Sequence, residues 1–227
     1  MMYPGHPLKT GENNRLAVLA LQHIDPDGLP LKIDSIAGPI TWASLFGPDS
    51  LPRITGAQSP LVTKSLEIAA SQIGVLEQPP GSNRGPQVDE YLLSVGLDPA
   101  AGSYPWCAAF AYWSFNKAAK DLGISNPVIK TAGVLDHWNK ACKQGVRRLL
   151  QDDVINDISL LKPGLVFIIS TGGGNGYEGL VENYEAGKLV TIEGNTNIDG
   201  GREGIGVFRR TGRKLADINK GFIDYST

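Results

Sequence analysis

The chain has 227 residues, of which 41% are hydrophobic and 19% are charged, so its composition is that of a folded globular protein. Its formal net charge is −2 and it has no basic block. Nucleic acid is therefore not expected as a partner, because phosphate binding relies on clustered Lys and Arg. No apolar run approaches the roughly 18 residues of a membrane span, so we also expect no membrane insertion.

The N-terminal stretch, residues 1–14, contains no apolar run of the kind found in a signal peptide. We therefore expect synthesis in the cytoplasm without a signal peptide. Action in the periplasm or cell wall would then require a non-classical route, such as phage lysis or contact-dependent injection.

Residues 1–50 are predicted to form a small helical segment. One short helix covers residues 13–24, and a second begins at Gly38 and Pro39. This segment resembles the peptidoglycan-binding repeat found beside bacterial wall hydrolases, although it has Ser35 where glycine is usual and is short for a three-helix unit. The alternative is a helical hairpin that packs on the main domain. The matching positions are Asp34, Gly38, Pro39, Thr41, Ala43 and Leu45.

Residues 51–60 are predicted to be a linker, since proline, glycine and serine recur there. The main domain follows at 61–227, and its class is predicted to be α+β, because helical patterns come first and strand patterns second. The predicted helices cover 61–74, 87–95, 105–121 and 133–144, and the predicted strands cover 165–170, 179–185, 188–194, 205–211 and 221–225.

Cys107 lies close to the start of the third predicted helix of the main domain. Pro105 fits the first helical position, because its φ is already set and it has no amide proton to leave unpaired. Cys107 would then lie in the first turn, where the helix dipole favours the thiolate. Two interpretations stay open at this point: a nucleophile, or a cysteine buried in the core. The other cysteine, Cys142, has a different sequence context, so a disulfide between the two is not expected.

A glycine-rich run at 172–176 separates the first two predicted strands. It lacks the Lys-Ser or Lys-Thr of a phosphate loop, and a strand rather than a helix follows it. We interpret it as a flexible connection at the mouth of a site.

Residues 70–113 and 163–225 resemble the CHAP family of peptidoglycan amidases and endopeptidases, relatives of the NlpC/P60 hydrolases. The resemblance implies a papain-like fold and hydrolysis of a peptidoglycan amide bond by a cysteine, with the choice between amidase and endopeptidase left open. The matching short motifs are Ile73-Gly74 with Glu77, Asn83 with Gly85, Tyr91, Pro105 to Phe110, Trp113, Pro163-Gly164, Gly179 to Val181, Thr191 to Thr196, and Gly221 to Ile223.

The resemblance also implies roles for individual residues. Cys107 takes the nucleophile position and Glu193 the position of the residue that orients the catalytic histidine. Asn195 is a second candidate for that polar role or for substrate contact. Backbone amides at the start of the cysteine helix are expected to act as oxyanion donors. The residues expected to line the substrate cleft are Trp106, Glu77 and Asn83.

No cofactor is implied, and the sequence shows neither zinc-ligand spacing nor an Asp-rich calcium loop. The expected partner is a peptidoglycan stem peptide. An immunity protein that plugs the cleft is a further possible partner if the chain is an injected toxin.

The catalytic histidine of the family falls at Tyr177 in this chain, in the word Gly-Tyr-Glu-Gly-Leu-Val. Histidine can accept a thiol proton because its pKa is about 6.5, whereas tyrosine titrates at about 10 and is a poor base at neutral pH. Substitute bases could be His137 or Glu193, while Glu178 should face away if Tyr177 faces the cysteine.

Three interpretations follow from the tyrosine. The chain could be a wall hydrolase that is inactivated naturally or by engineering, a non-catalytic module that binds peptidoglycan in the old cleft, or an active enzyme with an unusual base. We favour a hydrolase scaffold with impaired activity.

Overall fold

The structure, a computed structural model, describes residues 59–185, 187–197 and 204–226. The predicted helical segment 1–50 lies outside these residues, as does the predicted linker except for its last two positions.

Four helices open the described chain, close to where the sequence predicts them. Ser59 caps the first helix by accepting a hydrogen bond from the Val62 amide, and proline follows it at the first helical position. The second helix also opens on a proline, and it ends at Gly96 with φ of 90°. The bounds are α1 Pro60–Ser71, α2 Pro86–Val95, α3 Cys107–Asp121 and α4 Val134–Lys143.

The cysteine helix begins two residues later than the sequence predicts. Trp106 occupies the N-cap, and Cys107 is the first helical residue, so Pro105 lies before the helix. Most side chains of α3 are buried, which makes it the central helix of the domain.

A six-stranded sheet follows the helices, in the order β1-β6-β2-β3-β4-β5, and every neighbouring pair is antiparallel. Helices first and an antiparallel sheet second is the α+β arrangement that the sequence predicts. The strands are β1 Arg147–Leu150, β2 Val166–Gly172, β3 Asn175–Glu185, β4 Lys188–Thr196, β5 Gly206–Arg213 and β6 Gly221–Asp224.

The sequence patterns missed β1 and the short helix α5 (Gln151–Asn156) that follows it. β1 has only four residues, begins with two arginines and lies at the edge of the sheet, so it lacks the apolar alternation that marks a strand. Two short 3₁₀ turns, Ile158–Leu160 and Leu215–Asp217, complete the described elements.

Two glycines let the helices approach the sheet closely. A Cβ atom at Gly194 of β4 would lie 2.7 Å from the Phe110 ring of α3, and one at Gly176 of β3 would lie 2.7 Å from Val134 of α4. These contacts bring the first turns of α3 and α4 against β3 and β4, which is where the candidate site lies. No helix in the described ranges is long and apolar enough to cross a membrane.

Candidate active site

A cleft of about 240 Å³ opens beside the first residue of α3. The glycine run between β2 and β3 reaches it, since Gly174 and Gly176 lie on its wall, and Gly172 to Gly174 all have positive φ. The sequence-predicted residues that line the cleft are Asn83, Cys107, Tyr177 and Asn195, and Val134 of α4 and Asn175 of β3 join them.

The Cys107 thiol is 4% exposed at the cleft wall, and its pKa is raised to about 12. Burial is the main cause, and the negative charge of Glu178 adds to it. The backbone amides of Glu178, Ala108 and Cys107 itself lower the pKa, but by less. The prediction that the helix start yields a thiolate is therefore wrong for this structure, because desolvation outweighs the helix amides.

Tyr177 lies in the cleft wall, but its hydroxyl is already engaged. It donates a hydrogen bond to the Gly194 carbonyl at 3.1 Å, and the side chain is 7% exposed. Burial raises the pKa of Tyr177 well above its usual value, and the nearby charges of Glu193 and Cys107 raise it further. A phenol in this state keeps its proton, so it cannot accept the proton of the thiol.

Glu193 does not orient Tyr177, contrary to the role that the resemblance implies. Its carboxylate is fully buried and forms a bidentate pair with Arg213, with both N–O distances at 2.7 Å. Thr191 donates a further hydrogen bond at 2.6 Å, and Arg210 lies at 3.6 Å. Burial opposes the charge, but these partners outweigh it, and the pKa of Glu193 is lowered. The Tyr177 hydroxyl donates instead to the Gly194 carbonyl, so Glu193 is not its hydrogen-bond acceptor in this structure.

Asn195 connects β4 to the backbone just ahead of Cys107. With its amide oriented to satisfy both neighbours, its oxygen accepts from the Trp106 amide at 3.2 Å and its nitrogen donates to the Gly204 carbonyl at 3.0 Å. The residue has a positive φ of 54° and is 4% exposed at the cleft wall. It therefore helps to fix where α3 begins.

Two of the three predicted cleft residues are buried behind the cleft. The Trp106 indole is 0% exposed and donates to Glu77 Oε1 at 2.9 Å, while Glu77 is 2% exposed. Neither residue is among those that line the cleft, contrary to the prediction for both. Their pairing packs the loop after α1 against the start of α3. Asn83 does line the cleft, and its amide donates to Ser103 Oγ at 2.9 Å.

Sequence reasoning missed a buried polar cluster on the opposite face of β3. The Tyr177 ring packs beside Phe167 and Arg213, and the neighbouring Glu178 points the other way, into the helix layer. There His137 Nδ1 lies 3.0 Å from both carboxylate oxygens of Glu178, and its Nε2 lies 2.8 Å from the Tyr225 hydroxyl. Strand alternation could have placed Glu178 toward the helices, but its partners come from distant parts of the chain.

Both cysteines are free, with Cys107 buried and Cys142 exposed. Among the described residues, no three His, Cys, Asp or Glu side chains are grouped so that they could hold a metal ion. No family model, curated protein or solved structure matches this chain. The function is therefore inferred from the residues of the cleft and from the sequence motifs that contain them.

Proposed function

We propose that the chain is a papain-like, CHAP-type scaffold for hydrolysis of a peptidoglycan amide bond, with Cys107 as nucleophile and with turnover impaired by Tyr177. The observation that carries the proposal is the position of Cys107, which is the first residue of the central helix and lines a cleft together with Tyr177 and Asn195. The proposed partner is a peptidoglycan stem peptide. An immunity protein would fill the same cleft if the chain is an injected toxin.

In the proposed reaction the Cys107 sulfur attacks the amide carbonyl, and the C–N bond breaks to leave a thioester. The thiol proton must go to a base and then to the leaving amine, and water later releases the acyl group. In this reaction the first backbone amides of α3 would stabilise the oxyanion. The step that fails is the proton transfer, since the Tyr177 hydroxyl donates to Gly194 and has a raised pKa.

A second candidate function is a non-catalytic module that binds stem peptides in the same cleft. It is favoured by the closed hydrogen bonding around the site, where Tyr177 and Glu193 both have partners within the protein. Such a site needs no proton acceptor, and the polar amides of Asn83 and Asn175 at the cleft wall could contact a peptide backbone.

Incubation of purified sacculi with the native chain, with Tyr177→His and with Tyr177→His/Cys107→Ala tests the proposal. Loss of one triad member costs several powers of ten in rate, so we expect Tyr177→His to release soluble peptide at least about tenfold faster than the native chain. The variant that also lacks the thiol should fall to background. Mass spectrometry of the fragments identifies the amide that is cut.

Equal release by the native chain and Tyr177→His would contradict the role given to position 177. Release by neither, together with co-sedimentation of both with sacculi, would contradict the hydrolase proposal and support the binding module. Retained activity in the variant that lacks Cys107 would exclude the cysteine as nucleophile.

A further inference from the structure

The wall of the cleft beside α3 is made of uncharged groups. Among the described residues that line it, the side chains are amides, phenols, a thiol and aliphatic groups, with three glycines between them. A charged group of a ligand would give up part of its hydration there and meet no opposite charge on this wall. An uncharged ligand segment therefore fits the described wall better than a charged one.

Two asparagines of this wall have a backbone conformation that is uncommon outside glycine. Asn83 has φ of 56° and Asn195 has φ of 54°, and no other non-glycine residue in the described chain has a positive φ. Asparagine tolerates this conformation better than most residues, because its short polar side chain can hydrogen-bond locally. Such conformations cluster at ligand-binding and active sites, so their location agrees with a binding role for the cleft.

The hydrogen bonds of the wall asparagines determine which of their atoms a ligand can use. Asn83 Nδ2 donates to Ser103 Oγ at 2.9 Å, and Asn175 Nδ2 donates to the Gly173 carbonyl at 3.5 Å. Neither of these two side-chain oxygens has a hydrogen-bond partner among the described residues. Asn195 uses both ends of its amide within the protein. The wall therefore offers a ligand two acceptor oxygens, which suit N–H donors.

We propose that the cleft binds an uncharged peptide segment whose N–H groups meet Asn83 and Asn175, and that it selects a carboxamide over a carboxylate at that point. The inference rests on the proposed function for the identity of the ligand, which is then a stem peptide whose D-glutamyl α-carboxyl group is amidated. An ionised carboxylate has only acceptors, so beside two acceptor oxygens it loses water without gaining a hydrogen bond. A carboxamide has nearly the same shape and presents two N–H donors.

Binding of two muramoyl dipeptides to the full chain tests the proposal. Both carry L-alanine and a D-glutamyl residue with its γ-carboxyl group amidated, and they differ only in whether the α-carboxyl group is an amide or a carboxylate. The protein carries Cys107→Ala, which prevents turnover of the probes. Amide chemical shifts in NMR spectra give the Kd and show whether cleft residues respond. At pH 7 we expect the amide probe to bind at least about tenfold more tightly, since the carboxylate leaves acceptors facing acceptors.

Substitutions on the cleft wall should change this preference in opposite ways from a control outside it. Asn83→Gly removes one acceptor while tolerating φ of 56°, and should reduce the preference to about threefold or less. Asn175→Lys places a cation at an exposed point of the wall and should invert the preference, with a smaller effect at high salt. Asn156→Lys is the matched control, because Asn156 is exposed on α5 and does not line the cleft, so the preference should stay within a factor of two.

Equal affinity for the two muramoyl dipeptides would overturn the inference and leave the proposed function standing. Two peptides unrelated to the wall, acetyl-Ala-Gln-methylamide and acetyl-Ala-Glu-methylamide, identify the reverse case. If neither muramoyl compound binds but the glutamine peptide is preferred over the glutamate peptide, the peptidoglycan assignment fails while selection of the carboxamide stands. Tighter binding of the carboxylate probes, or no response of the cleft residues to any of the four probes, would also overturn the inference.

Discussion

Replacement of Arg213 by methionine would leave the Glu193 carboxylate buried without its main partner. The Arg213 side chain is 10% exposed and Glu193 is 0% exposed, and the pair is bidentate. Loss of one partner of a buried ion pair costs about 3–5 kcal/mol. Thr191 and Arg210 remain beside the carboxylate, so we expect the lower end, about 3 kcal/mol.

Arg209, which lies on β5 together with Arg213, offers a matched control. Arg209 forms a bidentate pair with Glu182 at 2.6 and 2.9 Å, but these side chains are 46% and 26% exposed. An exposed pair contributes about 0–1 kcal/mol, so Arg209→Met should change the stability little. The two variants differ mainly in how deeply buried the carboxylate is that each of them leaves without its arginine.

Thermal melting measures the difference. For a domain of this size, 1 kcal/mol corresponds to about 2–4 °C in Tm, so Arg213→Met should melt about 6–12 °C lower and Arg209→Met at most about 4 °C lower.

The pKa of Glu193 is lowered in the folded protein, so its stabilising contribution is full above the unfolded pKa of about 4.3 and is lost as the pH falls through the folded pKa. The gap between native protein and Arg213→Met should therefore shrink below about pH 4. Equal losses in the two arginine variants, or a gap that widens in acid, would refute the argument.

Two further predictions concern Cys142 and Gly194. In the native protein a thiol reagent at pH 8 should label Cys142, which is exposed, well before Cys107, which is buried with a pKa of about 12, and denaturation should make both react. Rapid labelling of the folded Cys142→Ser variant would contradict this order. Gly194→Ala should lower stability by about 1–3 kcal/mol, because its Cβ would lie 2.7 Å from the Phe110 ring. Gly212→Ala is the control in differential scanning fluorimetry, since nothing lies within 4 Å of a Cβ there, and equal losses in the two glycine variants would contradict the steric argument.

The sequence predicted the four helices and the longer strands because their signals are local. Proline and glycine at the ends of α2, and serine with proline at the start of α1, specify where those helices begin or end. The early start predicted for α3 has a physical cause as well. Pro105 fits a first helical position, but the Trp106 amide is held by Asn195, which lies on a strand 89 residues later in the chain.

The candidate site was only partly predictable. Cys107, Tyr177, Asn195 and Asn83 meet at one cleft, as the sequence words imply. The roles of Trp106, Glu77 and Glu193 could not be predicted correctly, because burial and partner choice decide them. Glu193 has two arginines within reach, and neither belongs to its own strand.

The sequence by itself determined that a cysteine lies close to the start of a helix and that a tyrosine follows the glycine run. Those facts depend on residue identity and on short spacings. Only the tertiary structure decided the charge around the cysteine, because a pKa depends on desolvation and on charges brought close from elsewhere in the chain. Glu178 and His137 are 41 residues apart in sequence, yet they form a buried pair, and the charge of Glu178 contributes to the raised pKa of Cys107. The charge state of Cys107 is therefore a property of the fold.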